Sequence, residues 1–141
     1  MNRIVYRKLP KYKYQLLEDH KEKIDIQPDA DIETAFVKLS QDGSIWIRKA
    51  YAWDGPSGPT VDTKTFMRGS LIHDALYQLM RLSMLDSTKH RKQADIILRK
   101  ICRKDGMMRF RAWYVYRSVR LFGAKSARPR PASPADRLHA P

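Results

Sequence analysis

The sequence predicts an α+β fold, with strands gathered toward the N-terminus and three helices after them. Three observations predict it. Alternation of apolar and polar residues is confined to residues 1 to about 50. A stretch rich in glycine and proline, YAWDGPSGPTVD at 51–62, follows. Apolar residues then recur at helical spacing as far as Phe122. Strands and helices segregated in this way argue against a doubly wound sheet, which alternates them.

The strand signal is clearest in a hairpin. Ala35, Val37 and Leu39 alternate with Phe36, Lys38 and Ser40, and Ile45, Trp46 and Ile47 follow after Gln41-Asp42-Gly43-Ser44. Asp-Gly between β-branched and aromatic runs favours a tight turn. Tyr12 to Leu17 and Lys23 to Gln27 supply two further candidate strands of a meander. The 51–62 segment cannot be a regular helix or a central strand, because proline lacks the N–H that both need. At about a dozen residues it is long for a plain connection.

The first helix is expected over 63 to about 84, capped by Thr63 or Thr65, with Phe66, Ile72, Leu76, Leu79 and Met80 on its apolar face. The second runs from Ser87, a natural N-cap, to Lys104, with Ala94, Ile97, Leu98 and Ile101 as its stripe and Gly106 beyond it. The third runs from about Met107 to Phe122 and stops at Gly123. The remainder, AKSARPRPASPADRLHAP, is basic and rich in proline and alanine. Residues 1–123 therefore read as a single domain and 124–141 as a disordered tail.

Bulk composition narrows the function classes. Hydrophobic residues make up 43% of the 141, enough for a core. A single cysteine, Cys102, excludes an internal disulfide and a multi-cysteine zinc site. No stretch approaches the ~18 apolar residues of a membrane span, and the N-terminus lacks the apolar run of a secretory signal. The expected setting is a cytoplasm. A net charge of +13 predicts attraction to polyanions, either nucleic acid or an anionic lipid surface.

The residues with chemical potential centre on His73-Asp74 in the first helix. His73 shares a helical face with Gly69 and Ser70 one turn back and with Leu76 and Tyr77 one turn on. A mid-helix glycine costs ~1 kcal/mol relative to alanine, so Gly69 calls for a packing or functional reason. Small residues there leave a gap that another segment can fill. Asp95 sits at the edge of the second helix's stripe, in line with Leu98 and Cys102. A short connection favours antiparallel helices, which brings Asp95 within reach of His73. A carboxylate on one ring nitrogen sets the tautomer and leaves the other nitrogen as a base. The 51–62 loop adds oxygen donors from Asp54, Ser57 and Asp62 and from the carbonyls of Gly55 and Gly58. The bland alternative stands beside this: a His-Asp dipeptide within an amphipathic helix, with Asp95 paired to Arg91 or Arg99 on its own helix.

The run D-G-P-S-G-P at 54–59, H-D-A-L-Y at 73–77 and A-D at 94–95 resembles a family of small phage and prophage proteins catalogued as a domain of unknown function. The resemblance spans roughly residues 12 to 123 and implies a host-cell or virion setting. A more distant local similarity is to phospholipases A2, notably the compact viral capsid type, with a Gly-rich calcium loop, H-D-x-x-Y and a later A-D. That resemblance implies a calcium-dependent hydrolase. In it His73 would activate water, Asp74 would bind calcium with carbonyls of the loop such as Gly55 and Gly58, and Tyr77 and Asp95 would hold His73. Asp54 joins the expected metal set from its place in the loop.

Other readings follow from the residues. A His-Asp phosphohydrolase needs further upstream histidines, and only His20 precedes His73, in what reads as a polar turn. A serine hydrolase using Ser57, His73 and Asp95 has the right residue types but no G-x-S-x-G elbow. A non-enzymatic polyanion-binding role, including a virion or assembly component, rests on RFRAWYVYRSVR. There Arg109, Arg111, Arg117 and Arg120 interleave with aromatics suited to base stacking or to an anionic membrane. Its bland counterpart is a helix whose aromatics are partly core and whose arginines are solvated.

Overall fold

The computed structural model describes residues 3–10, 13–54 and 64–129. Antiparallel strands come first and helices follow, an α+β chain as the sequence predicts. It divides into two compact units with the boundary between Asp54 and Gly55.

The N-terminal unit holds two small sheets. One has the order β1-β2-β7, from β1 (Tyr6–Leu9), β2 (Lys13–Leu16) and β7 (Ala52–Trp53). The other has the order β3-β6-β5-β4, from β3 (His20–Lys23), β4 (Ile32–Glu33), β5 (Val37–Leu39) and β6 (Ser44–Ile47). The expected hairpin is β5–β6, with Val37 opposite Ile47 and Leu39 opposite Ile45. These four side chains are buried, while Lys38 and Trp46 take the other face. Gly43 holds the turn at φ +91, and a Cβ there would lie 2.4 Å from the Ile24 carbonyl oxygen, so only glycine fits. The first sheet is held by aromatics: Tyr14 pairs with Trp53 across strands, and Tyr6 sits edge-on to both.

Two expectations shift here. The candidate strand at 23–27 lies earlier, at His20–Lys23, because that segment is the one in register with β6. Ile24 and Ile26 still alternate inward beyond it. The 51–62 segment opens with a short strand, β7, which pairs with β2 as an edge before Asp54. The rest of it lies outside the described residues.

The C-terminal unit consists of α1 (Lys64–Arg81), α2 (Ser87–Lys104), α3 (Arg109–Phe122) and a short α4 (Ala124–Ala127). α1 packs along α2, α2 against α3, and α4 against both α1 and α3. Nearly every residue of α1 from Phe66 to Met80 is buried, so it is the central helix rather than a surface one. The α2 cap is Asp86, one residue before the expected Ser87. Its carboxylate accepts from the N–H groups of Thr88 and Lys89 at 2.9 and 3.3 Å. A carboxylate suits that position because it meets both free donors and the positive helix end. α1 stops at Arg81, short of residue 84, where Ser83 turns left-handed at φ 60.

The gap beside Gly69 is filled by α2. A Cβ on Gly69 would lie 2.9 Å from Cys102 Sγ and 3.0 Å from Leu98 Cδ1. Close approach of α1 and α2 one turn before His73 is therefore the reason for the mid-helix glycine. Phe66, Leu98, Cys102, Met107, Ala112 and Val115 form the core shared by three helices. A bidentate pair from Arg68 to Asp105, at 3.0 and 2.8 Å, ties α1 to the end of α2. The expected tail begins later than 124. Ala124–Ala127 is helical, Ala127 is 1% exposed, and Arg81 donates to the Ser126 carbonyl at 3.1 Å. Alanine is the best helix former, and here its small side chain also fits against the bundle. Residues 130–141 lie outside the described residues.

Candidate functional site

Asp95 is the hub of the helical unit. It is wholly buried on α2, yet it has three donors. Oδ1 meets His73 Nε2 at 2.7 Å and the Tyr77 hydroxyl at 2.6 Å. Oδ2 accepts from Arg120 Nη1 at 2.9 Å. His73 and Tyr77 lie one turn apart on α1, so one carboxylate oxygen reaches both, and their rings pack at a 37° tilt with centroids 4.1 Å apart. α3 supplies Arg120. Three helices thus converge on one carboxylate, and its charge is matched inside the unit.

Arg91 forms the outer support. Its Nε donates to the Tyr77 hydroxyl at 3.3 Å, and its Nη2 donates to the carbonyls of Val119 and Arg120 at 3.0 and 2.8 Å. The Tyr77 oxygen therefore accepts from Arg91 while donating to Asp95. The chain passes tightly here: a Cβ on Gly123 would sit 2.8 Å from that hydroxyl oxygen.

The electrostatics set the tautomer. Burial raises the Asp95 pKa, but the hydrogen bonds from His73, Tyr77 and Arg120 outweigh it and hold Asp95 below the ordinary carboxylate range. An ionised carboxylate can only accept, so His73 Nε2 carries a proton. Nδ1 is then the nitrogen whose proton comes and goes. It faces Asp74 Oδ1 at 3.9 Å, and the Asp74 side chain is one-third exposed. Burial depresses the His73 pKa, but Asp74 and Asp95 more than offset this and leave it above the ordinary value. Burial and the Asp95 charge push the Tyr77 hydroxyl well up, so it stays a donor. Cys102 is no nucleophile: burial pushes its thiol up to about 12.

The structure brings together His73, Tyr77 and Asp95, with Asp74 beside Nδ1 of the imidazole. Of the expected metal set, Asp74 and Asp54 fall within the described residues. Asp54 is exposed and pairs with Lys13 at 3.7 Å. Gly55 and Gly58, with Ser57 and Asp62, lie outside the described residues. Among the described residues no three His, Cys, Asp or Glu side chains cluster as metal ligands. Asp95 pairs with neither Arg91 nor Arg99. Arg91 turns to Tyr77, and Arg99 lies over the Tyr116 ring.

The expected polyanion set divides. Arg109 and Arg117 are exposed, Arg111 is half-buried, and Arg120 is an internal partner of Asp95. The sequence places Arg120 with the polyanion-facing arginines because it alternates with aromatics. Its position 25 residues from Asp95 leaves no local signal of the pairing. The spacing of Arg91 one turn before Asp95 suggests a pair between them, whereas the structure turns Arg91 to Tyr77 and to the carbonyls of α3.

No family model, curated protein or solved structure matches the chain. No described helix is long and apolar enough to cross a membrane.

Proposed function

We propose that the helical unit is a hydrolase of the phospholipase A2-like class, with His73 as general base. The supporting observation is the geometry of one side chain. His73 is fixed through Nε2 by a buried carboxylate, and its Nδ1 is turned toward the partly exposed Asp74. A base needs a set tautomer and a second nitrogen that can take up a proton, and here that nitrogen is Nδ1, beside the Asp74 carboxylate. In the proposed step Nδ1 takes a proton from water as the water oxygen attacks an ester carbonyl. The same proton then passes to the departing alcohol oxygen. Asp95 stabilises the imidazolium formed between these transfers, and Tyr77 and Arg120 keep Asp95 in place.

Asp74 is the residue of this unit proposed to bind calcium, completed by carbonyls of Gly55 and Gly58 and by Asp54. One carboxylate is far fewer than the 6–8 oxygens calcium takes, so the reading depends on the loop donating the rest. Calcium would supply charge stabilisation to the developing oxyanion. The resemblance to small phage proteins adds a host-cell or virion setting to the proposal.

The test is release of fatty acid from phospholipid vesicles, with calcium and with chelator. His73→Gln is expected to abolish release while the fold persists. Asp74→Asn is expected to abolish the calcium requirement together with the activity. Calcium at about one hundred times its dissociation constant should stabilise the wild type by ~2.7 kcal/mol. Equal melting temperatures in calcium and in chelator would remove the metal from the proposal. Release that persists in His73→Gln would remove the base.

A further inference from the structure

α3 carries two apolar stripes, and only one of them is used inside the protein. Ala112, Val115 and Val119 face the core. On the opposite side Phe110, Trp113, Tyr114, Arg117 and Leu121 fall at i, i+3, i+4, i+7 and i+11, a single helical face. The apolar members are open to solvent: Phe110 is 76% exposed, Tyr114 57% and Leu121 64%. The Phe110 and Trp113 rings lie 6.1 Å apart, so these two neighbours form one apolar surface. Met108 and Phe122, at the two ends of α3, are also exposed, at 76% and 80%. A contiguous apolar surface of this kind marks an interaction site.

The charges around the stripe select its partner. From residue 106 to residue 129 there is no aspartate or glutamate. Arg109, Arg117, Lys125 and Arg128 are exposed in this stretch. A second copy of the chain would bring like charges together, with arginine in the middle of the stripe. A nucleic-acid surface is polar and densely anionic; it can stack on aromatic rings but leaves the aliphatic Met108 and Leu121 without an apolar partner. An anionic bilayer meets both demands. Its headgroups attract the cations, and its interface takes Trp, Tyr, Phe and Leu to a shallow depth.

We infer that the outer face of α3 docks on an anionic phospholipid bilayer, with Phe110, Trp113, Tyr114 and Leu121 inserted at the interface and Arg109 and Arg117 at the headgroups. The inference goes beyond the hydrolase reading and stands without it, since binding is measured without turnover. The stripe lies away from the face that packs on α2, so docking leaves the core of the unit undisturbed.

The experiment is co-sedimentation of the full chain with vesicles of phosphatidylcholine alone and of two parts phosphatidylcholine to one part phosphatidylglycerol. Binding to the anionic vesicles is expected, with weak binding to the neutral ones. Trp113 reports depth: bromine-bearing lipid should quench the wild type more than Trp113→Phe. The double variant Phe110→Ser and Leu121→Ser changes exposed positions only and should lower partitioning at least about tenfold. Arg109→Gln with Arg117→Gln should lower it on the anionic vesicles and reduce its salt dependence. Far-ultraviolet circular dichroism checks that the variants keep their helices. The inference is overturned if the wild type ignores anionic vesicles or if the double serine variant binds as well as the wild type. It is equally overturned if the double serine variant instead loses single-stranded DNA binding or dissociates a dimer while vesicle binding is absent in both proteins.

Discussion

Two buried histidine–carboxylate pairs stand out among the described residues, and they differ in what surrounds them. In the N-terminal unit His20 Nε2 meets Glu22 Oε2 at 2.5 Å, with both side chains about 5% exposed or less. In the helical unit His73 meets Asp95 at 2.7 Å. The first pair is local: residues two apart on one strand point to the same face, so the contact follows from β geometry. The second spans 22 residues and joins two helices, with Arg120 of a third on the same carboxylate. His73 also has a second carboxylate at its other nitrogen, on a side chain open to solvent. The two pairs thus differ in how many elements fix the histidine and in whether a second carboxylate faces its other nitrogen.

The comparison breaks most readily at the carboxylates. Asp95→Asn keeps shape but sets an amide against three donors, and should cost ~3 kcal/mol or more in denaturant unfolding. Glu22→Gln should cost ~1 kcal/mol, since its amide can still pair with the histidine. Equal losses would mean that the two pairs are equivalent structural features. Next in size is the spacing of α1 and α2. Gly69→Val should cost ~1–3 kcal/mol by overpacking against Leu98 and Cys102. If instead it stabilises, by ordinary helix propensity, then close approach is not what aligns His73 with Asp95.

Ending the chain at residue 123 rather than at 129 should cost ~1 kcal/mol, because α4 buries Ala127 and accepts from Arg81. Matching melting curves for the two lengths would return α4 to the category of a passive tail.

The smallest expected change is in titration. His73 should titrate above its ordinary value, followed by NMR of the ring protons. A raised folded pKa stabilises below the unfolded value of ~6.5 and loses that contribution as pH rises through the folded pKa. Any turnover through Nδ1 should increase over that same interval, as the imidazole becomes neutral. Asp74→Asn removes one of the causes and should move the titration down. An unmoved titration would show that Asp74 does not act on His73. Asp95 works in the opposite sense. Its lowered pKa stabilises above ~3.9, and that contribution is lost as pH falls through the folded value.

Features that depend on near neighbours can be read from the residues alone. Asp42-Gly43 and the alternation around it specify the β5–β6 hairpin, and apolar spacing specifies α1, α2 and α3. His73, Tyr77 and Asp95 were also legible as a group, because helical period places the first two on one face and a short connection returns Asp95 beside them. The remaining features come from long-range packing. It buried His20, which sequence reads as a polar turn residue, by pairing its strand with β6. It took Arg120 from the expected solvent-facing set and placed it on Asp95, and it left Phe110, Trp113 and Leu121 outside the core. The physical reason is the range of the forces. Periodicity and turn chemistry act over a few residues, whereas the partner of a buried charge is whichever distant helix the packing brings within about 3 Å.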